Sequence, residues 1–358
     1  MTHLLVTGGL GFIGSHIVER AVDRGWRVTV IDSLRPDVHA DAAVPEWFDG
    51  LRGDVDLVVG DAGDTSVGLL RSVDAVCHQA AKVGLGVDFS DAPDYVASNV
   101  GVTARLLAAM AGAGLRRLVL ASSMVVYGEG LYRDGGVVRQ PPERSVADLD
   151  AGRFDPLDAD GRPLEPLLIA EDDPADPRNV YAASKLAQEH LARSWARSTD
   201  GRVVALRYHN VFGTRMPIGT PYAGVASIFR TSLAAGRPPR VFEDGGQRRD
   251  FVDVRDVADA NLGAVERLGD RPDGTARAYN VGSGVVRTIG DFARALSEAT
   301  GGPAPIVTGE YRLGDVRHIT ASSERIATEL SWRAERPWTE SIEAFAAGPT
   351  RQRAAVVG

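Results

Sequence analysis

The feature that most constrains the fold is an alternation of short apolar runs with longer amphipathic stretches up to Gly213. The apolar runs are HLLVTGG, RVTVIDS, DLVVGDA, DAVCHQAA, RRLVLASS and RVVALRYHNVFG. They have the length and the β-branched content of buried strands. GSHIVERAVDRG, NVGVTARLLAAMAGAG and VYAASKLAQEHLARSWARS lie between them and carry apolar residues at helical spacing. Apolar strands separated by helices favour a parallel sheet covered on both faces, so we predict a doubly wound α/β architecture.

Charge and cysteine content narrow the class of protein. The chain has 358 residues, a formal net charge of −8 and a pI near 5.5, which argues against a nucleic-acid partner because such binders carry a basic surface. The single cysteine, Cys77, excludes an intramolecular disulfide and a CxxC metal site, and its apolar neighbours predict a buried thiol. No run approaches the ~18 apolar residues of a membrane span. Because no leader precedes the first strand either, we expect a cytoplasmic protein without a membrane partner.

The stretch TGGLGFIGSH contains several glycines between the first predicted strand and the first predicted helix. Gly8, Gly11 and Gly14 follow GxxGxxG spacing. The first glycines permit a tight turn and close approach of the backbone to a pyrophosphate. The last one lets the helix pack against the sheet with its N-terminus facing the negative charge. In this strand–helix context the motif predicts a dinucleotide site.

A carboxylate at the end of the second strand indicates which dinucleotide binds. Asp32 follows Gly8 by 24 residues, where a carboxylate can accept hydrogen bonds from ribose hydroxyls and repel a 2′-phosphate. This favours NAD over NADP, although the neighbouring Arg35 keeps NADP open. Asp61, at the end of the next strand, is placed to reach the adenine amine, or else it caps a turn or a helix.

Tyr181 and Lys185 stand four residues apart on a predicted helix and share one face of it. Lys185 and Lys82 are the two lysines among 40 cationic residues, the others being arginine. A phenol is a poor base at neutral pH. A nearby ammonium, together with the positive charge of a nicotinamide ring, favours the phenolate and lowers the pKa of the phenol. The pair therefore predicts a catalytic base and its partner.

The strand RRLVLASS brings two serines to its carboxyl end, the edge at which ligands bind in an open α/β sheet. A hydroxyl of Ser122 or Ser123 there can bridge a substrate oxygen and Tyr181. An isolated serine pair would more simply cap a turn. Beside the glycine motif and the Tyr–Lys pair, we favour a catalytic serine.

These motifs resemble those of the extended short-chain dehydrogenases/reductases, in particular the nucleotide-sugar epimerase/dehydratase family. The resemblance runs in order from residue 5 to about residue 318 and so covers nearly the whole chain. The matching segments are TGGLGFIG, GDAGD, HQAAKVG, SNVGVT, LASSMVVYG, YAASK, LRYHNVFG, GGQRRDFVDVRDVADA and YRLGDVRH.

The resemblance implies a tightly bound NAD that is regenerated in each cycle and a nucleotide-diphosphate sugar as substrate. It implies that Ser123, Tyr181 and Lys185 are catalytic. The positions implied for the cofactor are Gly8, Gly11, Phe12, Ile13, Gly14, Asp32, Ser33, Asp61, Ala62, Ala80, Ala81, Lys82, Asn99, Ser122, Tyr181, Lys185 and Tyr208. Those implied for the substrate are Ser123, Met124, Tyr181, Asn210, Val241, Arg249, Arg312 and Asp315. In that set the arginines would clamp phosphate oxygens, and the aspartate would accept hydrogen bonds from ribose hydroxyls.

Departures from the family pattern narrow the reaction. Relatives that dehydrate hexoses carry Asp–Glu directly after the catalytic hydroxyl, where this chain has Met124 and Val125, which transfer no protons. Sugar-nucleotide decarboxylases usually carry Glu at the position of Val125. The chemistry that remains needs one base and one hydride acceptor, as in 4-epimerisation through a transient 4-keto sugar. We therefore predict an isomerase, a 4-epimerase of a dTDP- or UDP-hexose.

Other functions stay open. Within enzymes they are a UDP-glucuronate 4-epimerase, a 4-keto-sugar reductase that consumes external NAD(P)H and, less favourably, a dehydratase or decarboxylase. A catalytically silent nucleotide-binding protein on the same fold is a further alternative, because fold does not fix function. The intact Ser–Tyr–Lys set argues against it.

Residues 129–178 break the strand–helix rhythm and are rich in Gly, Pro, Asp and Arg. We interpret them as a long insertion, either a lid or a solvated loop. The insertion resembles that of dTDP-L-rhamnose 4-epimerase-like enzymes but lacks the cysteine pairs suited to a metal, so no metal is implied. Family relatives commonly dimerise through helices matching NVGVTARLLAAMAGAG and YAASKLAQEHLARSW, which implies a homodimer with a four-helix bundle.

The pattern divides the chain into two interleaved parts. The predicted NAD-binding Rossmann domain spans 1–207 and is rejoined by 249–282. A smaller α/β substrate lobe is predicted from shorter elements over 208–248 and 283–345. Residues 346–358 are predicted to form a tail.

Overall fold

The computed structural model describes residues 1–36, 38–39, 42–84, 88–218 and 224–352. The strands, numbered β1 to β17 in chain order, are His3–Thr7, Arg27–Asp32, Val55–Val59, Ala75–His78, Arg117–Ser123, Tyr132–Asp134, Val137–Arg139, Glu165–Pro166, Arg202–Tyr208, Asn210–Phe212, Pro217–Ile218, Arg240–Val241, Arg248–Asp253, Thr275–Val281, Val286–Thr288, Ile306–Val307 and Arg351–Gln352. The helices, α1 to α11, are Phe12–Asp23, Val67–Leu70, Ala92–Tyr95, Val102–Ala113, Val146–Asp150, Val180–Thr199, Val225–Ala234, Val254–Arg267, Ile289–Thr300, Glu324–Glu329 and Trp338–Ala347. Short 3₁₀ turns occur at Glu46–Leu51, Ala62–Asp64, Phe89–Asp91, Met124–Tyr127 and Leu268–Asp270, and a π-helical turn occurs at Val96–Gly101.

Seven parallel strands form the main sheet in the order β14-β9-β5-β4-β1-β2-β3. Helices α1 and α8 pack their apolar residues on one face of this sheet, and α4 and α6 pack theirs on the other. The strand order reverses between β1 and β4, which makes this point the switch at which an open α/β sheet binds ligands. The predicted doubly wound architecture is confirmed.

Register fixes which side chains meet at the ligand-binding edge. β5 and β9 pair in parallel with Ser122 opposite Arg207 and Ser123 opposite Tyr208. Because successive side chains point to opposite faces of a sheet, the first pair faces one layer of helices and the second pair faces the other. Cys77 in β4 is fully buried, which confirms the predicted core thiol, and burial raises its pKa to about 12.

A second, smaller lobe is built on β10, β13 and β15, which form a three-stranded sheet. Its core is aromatic, and the Phe251 and Phe292 rings stack with their centroids 4.4 Å apart. The segment 249–282 was predicted to return to the Rossmann domain. Its strand β14 does so and joins the main sheet beside β9, whereas β13, which begins one residue before the segment, belongs to the sheet of the lobe. The small α/β lobe is therefore present, and the exact domain boundaries stay a prediction.

The predicted insertion, 129–178, has secondary structure of its own. β6 pairs with β7 and β8, and α5 follows this hairpin in the chain. Tyr132, Leu149 and Ile169 are buried, so the segment packs against the rest of the molecule. The alternative of a solvated loop is therefore wrong, because an aperiodic sequence can still bury scattered apolar residues.

A buried cluster of charges joins the insertion to the lobe. The Arg317 side chain is 2% exposed and donates to Asp155 in the insertion at 2.7 Å, and to Glu243 and Asp244 at 2.8 and 2.7 Å. Glu129, at the start of the insertion, accepts a hydrogen bond from the Arg317 backbone at 2.9 Å. One buried guanidinium therefore ties a carboxylate of the insertion to two carboxylates of the lobe, of which Asp244 is 52% exposed.

One helical run in the described part of the chain, Phe89–Ala113, is long and apolar enough to cross a membrane by length and composition alone. Its inner residues Val102, Leu106 and Met110 belong to the core beneath the main sheet. A core helix of a folded domain meets the same length test, and 33% of this apolar window is buried in the fold.

Gly14 lies where a side chain cannot fit. A Cβ atom there would meet the backbone oxygen of Gly8, and would lie 2.9 Å from the Cα atom of Gly9. Because both are backbone atoms, we expect Gly14→Ala to lower the free energy of unfolding by about 1–3 kcal/mol, as overpacking does. Urea denaturation measures this loss.

Gly263→Ala in α8 is the matched control, because a Cβ atom there meets nothing within 4 Å. This variant should gain about 0.5–1 kcal/mol of stability, since alanine loses less backbone entropy than glycine in a helix. Similar stability changes in the two variants would contradict the packing described for Gly14.

Candidate active site

The loop from β1 to α1 makes a tight turn over the end of β4. Gly8 adopts a φ of +66°, and a Cβ atom there would lie 2.7 Å from the Ala80 backbone nitrogen. The Gly11 nitrogen donates to the Gly8 oxygen at 3.0 Å, and Gly11 precedes the first residue of α1. Only glycine allows this close approach, and it leaves the N-terminal amides of a twelve-residue helix at the edge of the sheet.

A cavity of about 330 Å³ lies between this turn, the carboxyl ends of β5 and β9, and α6. It brings together many of the residues predicted from the sequence. These are Gly8, Gly11, Phe12, Ile13, Gly14, Ala81, Lys82, Ser122, Ser123, Tyr181, Lys185 and Tyr208. Gln79 and His209 also line it, and the sequence did not assign them to a site. Arg35, which the sequence linked to the choice between NAD and NADP, lines it as well.

Helix α6 carries the Tyr–Lys pair on its inner side. It begins after Asn179, whose side-chain oxygen accepts from the Ala182 nitrogen at 2.9 Å and so fixes the first turn. The Lys185 ammonium lies 6.0 Å from the centroid of the Tyr181 ring and donates to the Ala121 carbonyl at 3.0 Å. A hydrogen bond links Ser123 with Tyr181. Hydroxyl, phenol and ammonium therefore occupy one wall of the cavity.

The protonation of this wall is set by burial. Burial raises the pKa of Tyr181 to about 12, although the hydrogen bond with Ser123 opposes the shift. Burial also lowers the pKa of Lys185 to about 8, which Glu189 opposes. The protein groups alone therefore leave the phenol protonated at neutral pH. The lowered pKa predicted from the sequence required the positive charge of a nicotinamide ring as well as Lys185, and the protein groups by themselves do not offset the desolvation of a buried phenolate.

A buried ion pair behind this wall was not predicted. Glu189, one turn after Lys185 on α6, accepts two hydrogen bonds from Arg207 in β9, at 2.9 and 2.7 Å. The two side chains are 5% and 6% exposed. Glu189 also accepts from the Ser122 hydroxyl at 2.5 Å, and Arg207 donates to the Tyr127 hydroxyl at 2.8 Å. The network fixes α6 against the strand ends that carry the two serines.

The residues predicted for the adenosine end lie mostly beside the cavity. Asp32 accepts from the backbone nitrogens of Leu10 and Leu34, each at 3.0 Å, and lies 3.3 Å from His39. Although burial opposes it, the hydrogen bond from His39 lowers the pKa of Asp32. The carboxylate therefore stays charged and oriented at the end of β2. Ser33, the next residue, is exposed.

Asp61 caps a turn, which is the alternative to an adenine contact that its position in the sequence allowed. Its carboxylate accepts from the Gly63 nitrogen at 2.7 Å, which caps the short turn that starts at Ala62, and it pairs with Arg105 at 2.8 Å. Ala62 itself is buried. The contact of Asp61 with an adenine amine stays a prediction.

Asn99 lies in the π-helical turn 96–101 and is fully buried. Its side chain accepts from the Lys82 nitrogen at 2.7 Å and donates to the Lys82 oxygen at 3.0 Å and to Ser184 at 2.9 Å. Asn99 therefore links α6 to the loop that follows β4 and contains Lys82. Ala80, in the same segment, donates its backbone nitrogen to the Thr7 hydroxyl at 3.3 Å.

The positions predicted for the sugar nucleotide do not line the 330 Å³ cavity, apart from Ser123 and Tyr181. Arg249 donates to the backbone carbonyls of Val316 and Arg317 at 2.7 and 2.9 Å. The Val241 side chain is fully buried in the core of the lobe. Met124 starts the turn after Ser123 and packs on a small cluster there.

The remaining positions of this set are Asn210, Arg312 and Asp315. The Asn210 side-chain oxygen is buried and has no hydrogen-bond partner among the described residues. Arg312 is exposed, with its guanidinium 5.1 Å from the centroid of the Phe242 ring. Asp315 is exposed, and its backbone oxygen accepts from Arg144 at 2.7 Å. Arg249 and the 312–317 segment are thus neighbours, and their contact with a substrate stays a prediction.

The cavity has the form that a dinucleotide requires. Its floor is a glycine turn that no side chain could occupy, a helix N-terminus faces it, and a charged Asp32 stands at the end of the second strand. With Ser123, Tyr181 and Lys185 on one wall, fold and site define a Rossmann-type protein built for redox chemistry on an alcohol or a ketone. The chain belongs to the NAD dependent epimerase/dehydratase family, whose model matches residues 4–282.

Named relatives agree with this assignment. The chain is 34% identical over 341 residues to dTDP-L-rhamnose 4-epimerase of Burkholderia thailandensis, an alignment that covers 93% of this chain and 90% of the relative. The UDP-glucose 4-epimerase of Stenotrophomonas maltophila, solved with NAD and formylated UDP-arabinopyranose, is 27% identical with a TM-score of 0.77, over 97% of each chain. The UDP-glucose 4-epimerase of Thermus thermophilus, solved with NAD, is 28% identical with a TM-score of 0.73, over 96% of this chain and 98% of that one.

The buried pair behind the active-site wall generates a stability prediction. Glu189→Gln keeps the shape of the side chain but leaves the Arg207 charge without its counter-charge. Because breaking a buried pair costs about 3–5 kcal/mol, we expect a loss of that size in the free energy of unfolding. Urea denaturation of the purified variant measures it.

Asp49→Asn provides the matched control, since it breaks an exposed pair with Arg52 in which both side chains are about 60% exposed. Its stability should change by less than about 0.5 kcal/mol, as expected for surface charges. A Glu189→Gln variant as stable as this control would show that the buried pair is dispensable.

Proposed function

We propose that this chain is a nucleotide-sugar 4-epimerase that uses NAD and acts on a dTDP- or UDP-hexose through a transient 4-keto sugar. The observation that carries the proposal is the convergence of Ser123, Tyr181 and Lys185 on one wall of a cavity whose floor is the glycine turn. The names of the relatives support the substrate class, since each is a 4-epimerase of a dTDP- or UDP-sugar.

Each catalytic residue has one task in this reaction. NAD, when bound, would supply the hydride acceptor for C4 of the sugar and the hydride that restores C4 from its opposite face. The Tyr181 oxygen would take the proton of the sugar 4-hydroxyl and give it back after the keto sugar has turned. The Ser123 hydroxyl is hydrogen-bonded to Tyr181 and orients the substrate oxygen. The Ala121 carbonyl holds the Lys185 ammonium near the phenol.

The raised pKa of Tyr181 assigns a second role to the cofactor charge. With a pKa of about 12 the phenol is a weak base at neutral pH, and Lys185 alone does not reverse this. Bound NAD⁺ would bring a second positive charge to this buried site, which would favour the phenolate form of Tyr181. Tyr181 would then be a stronger base in the protein that holds oxidised cofactor than in the protein without it.

The absence of a second acid–base pair supports epimerisation over elimination. Met124 and Val125 follow the serine, and the 3₁₀ turn that they begin carries no titratable side chain next to Ser123. A dehydratase needs a further proton donor and acceptor at this point. We propose that Arg249, Arg312, Asp315 and Asn210 bind the nucleotide diphosphate on the lobe side, where Arg249 already lies against the 316–317 backbone.

Turnover of sugar nucleotides without added cofactor tests the proposal. The purified full chain is incubated with a panel of dTDP- and UDP-sugars, and the C4 proton of the products is followed by NMR. We expect interconversion of one pair of C4 epimers. Tyr181→Phe should reduce the rate by at least about 10²-fold, because it removes the proton acceptor.

Tyr279→Phe is the matched control for the loss of a hydroxyl. The Tyr279 hydroxyl donates to Glu329 at 2.6 Å, and Tyr279 does not line the cavity. This variant should keep its epimerase rate within about twofold, because the buried Tyr279 lies outside the cavity and phenylalanine keeps the packing of its ring, so any cost falls on stability. Reduction of a 4-keto sugar only with added NAD(P)H, and no epimerisation without it, would replace the proposal with a reductase.

We also propose that two copies associate through α4 and α6. The exposed residues of α4 include Ala104, Ala108 and Ala111, small side chains that allow another helix to approach closely, next to Arg105, which pairs with Asp61. Val96, in the turn that precedes α4, is 52% exposed. Sedimentation velocity of the full chain tests this, and Ala108→Arg should shift a dimer to a monomer. A monomeric wild type would contradict it. The cytoplasmic location, and the absence of nucleic-acid and membrane partners, stay predictions.

A further inference from the structure

Two cations lie on the side of the cavity that faces the adenosine end. Arg35 follows Asp32 by three residues, and Lys82 follows the end of β4; both line the cavity. In dinucleotide sites an arginine near the ribose carboxylate accommodates the 2′-phosphate of NADP. The sequence alone therefore leaves the choice between NAD and NADP open at this position.

Both cations are bound to one carboxylate, that of Asp94. Arg35 donates to its two oxygens at 3.3 and 3.1 Å, and Lys82 donates to it at 2.7 Å. The Ser98 hydroxyl donates to Asp94 at 2.9 Å and accepts from Arg35 at 2.8 Å. Hydrogen bonding by Arg35 holds the pKa of Asp94 well below its usual range, so this carboxylate is charged at any physiological pH.

The arrangement occupies the guanidinium edge that a phosphate would contact. Arg35 directs one nitrogen to each Asp94 oxygen, the bidentate geometry in which a guanidinium also binds phosphate. The two side chains are 37% and 42% exposed, so a 2′-phosphate could reach Arg35 but would have to compete with Asp94 for it. A ribose hydroxyl carries no charge and needs only an acceptor, which Asp32 supplies.

We propose that Asp94 is a specificity-determining residue that makes the cavity selective for NAD over NADP by holding Arg35. This inference rests on the proposed binding of a dinucleotide in the cavity. It assigns a role to a residue in the four-residue helix α3, outside the glycine motif and the strand ends that the sequence indicated. Asp32 excludes the phosphate directly, and Asp94 removes the cation that would attract it.

Binding of the two dinucleotides to the full-length protein, freed of bound nucleotide, tests the proposal. Isothermal titration calorimetry measures the affinity for NAD⁺ and for NADP⁺ separately, without turnover. Asp94→Asn should raise the NADP⁺ affinity by about tenfold, the size of a hydrogen-bonded contact with a charged group. The readout is the ratio of the NADP⁺ affinity to the NAD⁺ affinity, because the release of Lys82 from Asp94 acts on both dinucleotides, whereas the release of Arg35 favours the one that carries a 2′-phosphate.

Two further variants separate the role of Arg35 from a general change of charge. Asp91→Asn removes a carboxylate 3.7 Å from Lys82 and changes the net charge equally, but leaves Arg35 on Asp94. It should not change the ratio of the two affinities. In Asp94→Asn with Arg35→Met, the gain in NADP⁺ affinity should disappear. Asp94→Ser repeats the test with a smaller side chain if the asparagine variant does not fold.

Each outcome decides the proposal. An unchanged NADP⁺ affinity in a folded Asp94→Asn or Asp94→Ser protein that still binds NAD⁺ would overturn it. A gain that persists without Arg35 would also overturn it, because repulsion by Asp94 alone would then be the cause. A wild type that prefers NADP⁺ would do the same. A wild type that binds neither dinucleotide would instead remove the proposed function on which this inference rests.

Discussion

The geometry of the active site depends on the buried pair of Glu189 and Arg207, which links α6 to the ends of β5 and β9. Two charges taken out of water are tolerated only where hydrogen bonds satisfy both, and here the bidentate contact is completed by Ser122 and Tyr127. A slip of α6 by one residue, or of β9 in its register, would leave both charges unpaired in the core. The need to keep Glu189 and Arg207 paired thus also fixes the positions of Lys185 and of the two serines.

Charge in the cavity follows a consistent pattern. Every lysine or arginine among the described residues that line it has a carboxylate close by: Arg35 and Lys82 have Asp94, and Lys185 has Glu189 one helical turn away. A chain with 38 arginines would otherwise offer many sites for stray anions. For the proposed dinucleotide, the helix N-terminus and the amides of the glycine turn offer the diphosphate hydrogen bonds in a fixed direction as well as positive charge.

Local patterns in the sequence were enough to predict the main sheet, the glycine turn and the Tyr–Lys face of α6. Each depends on neighbours in the chain: strand length and apolar content, a glycine spacing, and an i, i+4 relation. Glu189 could have been placed on the same face of α6, because it stands four residues after Lys185. Its partner Arg207 lies on β9, and no spacing in the sequence links the two residues. The raised pKa of Tyr181 escaped for a similar reason, because desolvation depends on all the atoms that surround the phenol. Asp94 and the packed insertion likewise depend on contacts between distant segments, which spacing does not reveal.

The charge cluster around Arg317 has a consequence for how such proteins diversify. Glu129 and Asp155 belong to the insertion, and Glu243 and Arg317 belong to the lobe. Charged side chains of each part therefore have hydrogen-bond partners in the other part. An insertion taken from a relative would place different side chains against Arg317 and would need to supply carboxylates at the positions of Glu129 and Asp155. A compatible exchange would have to include residues of the insertion and of the C-terminal half of the chain together. Substrate range in this branch should change by small substitutions around a fixed scaffold more easily than by swapping of loops.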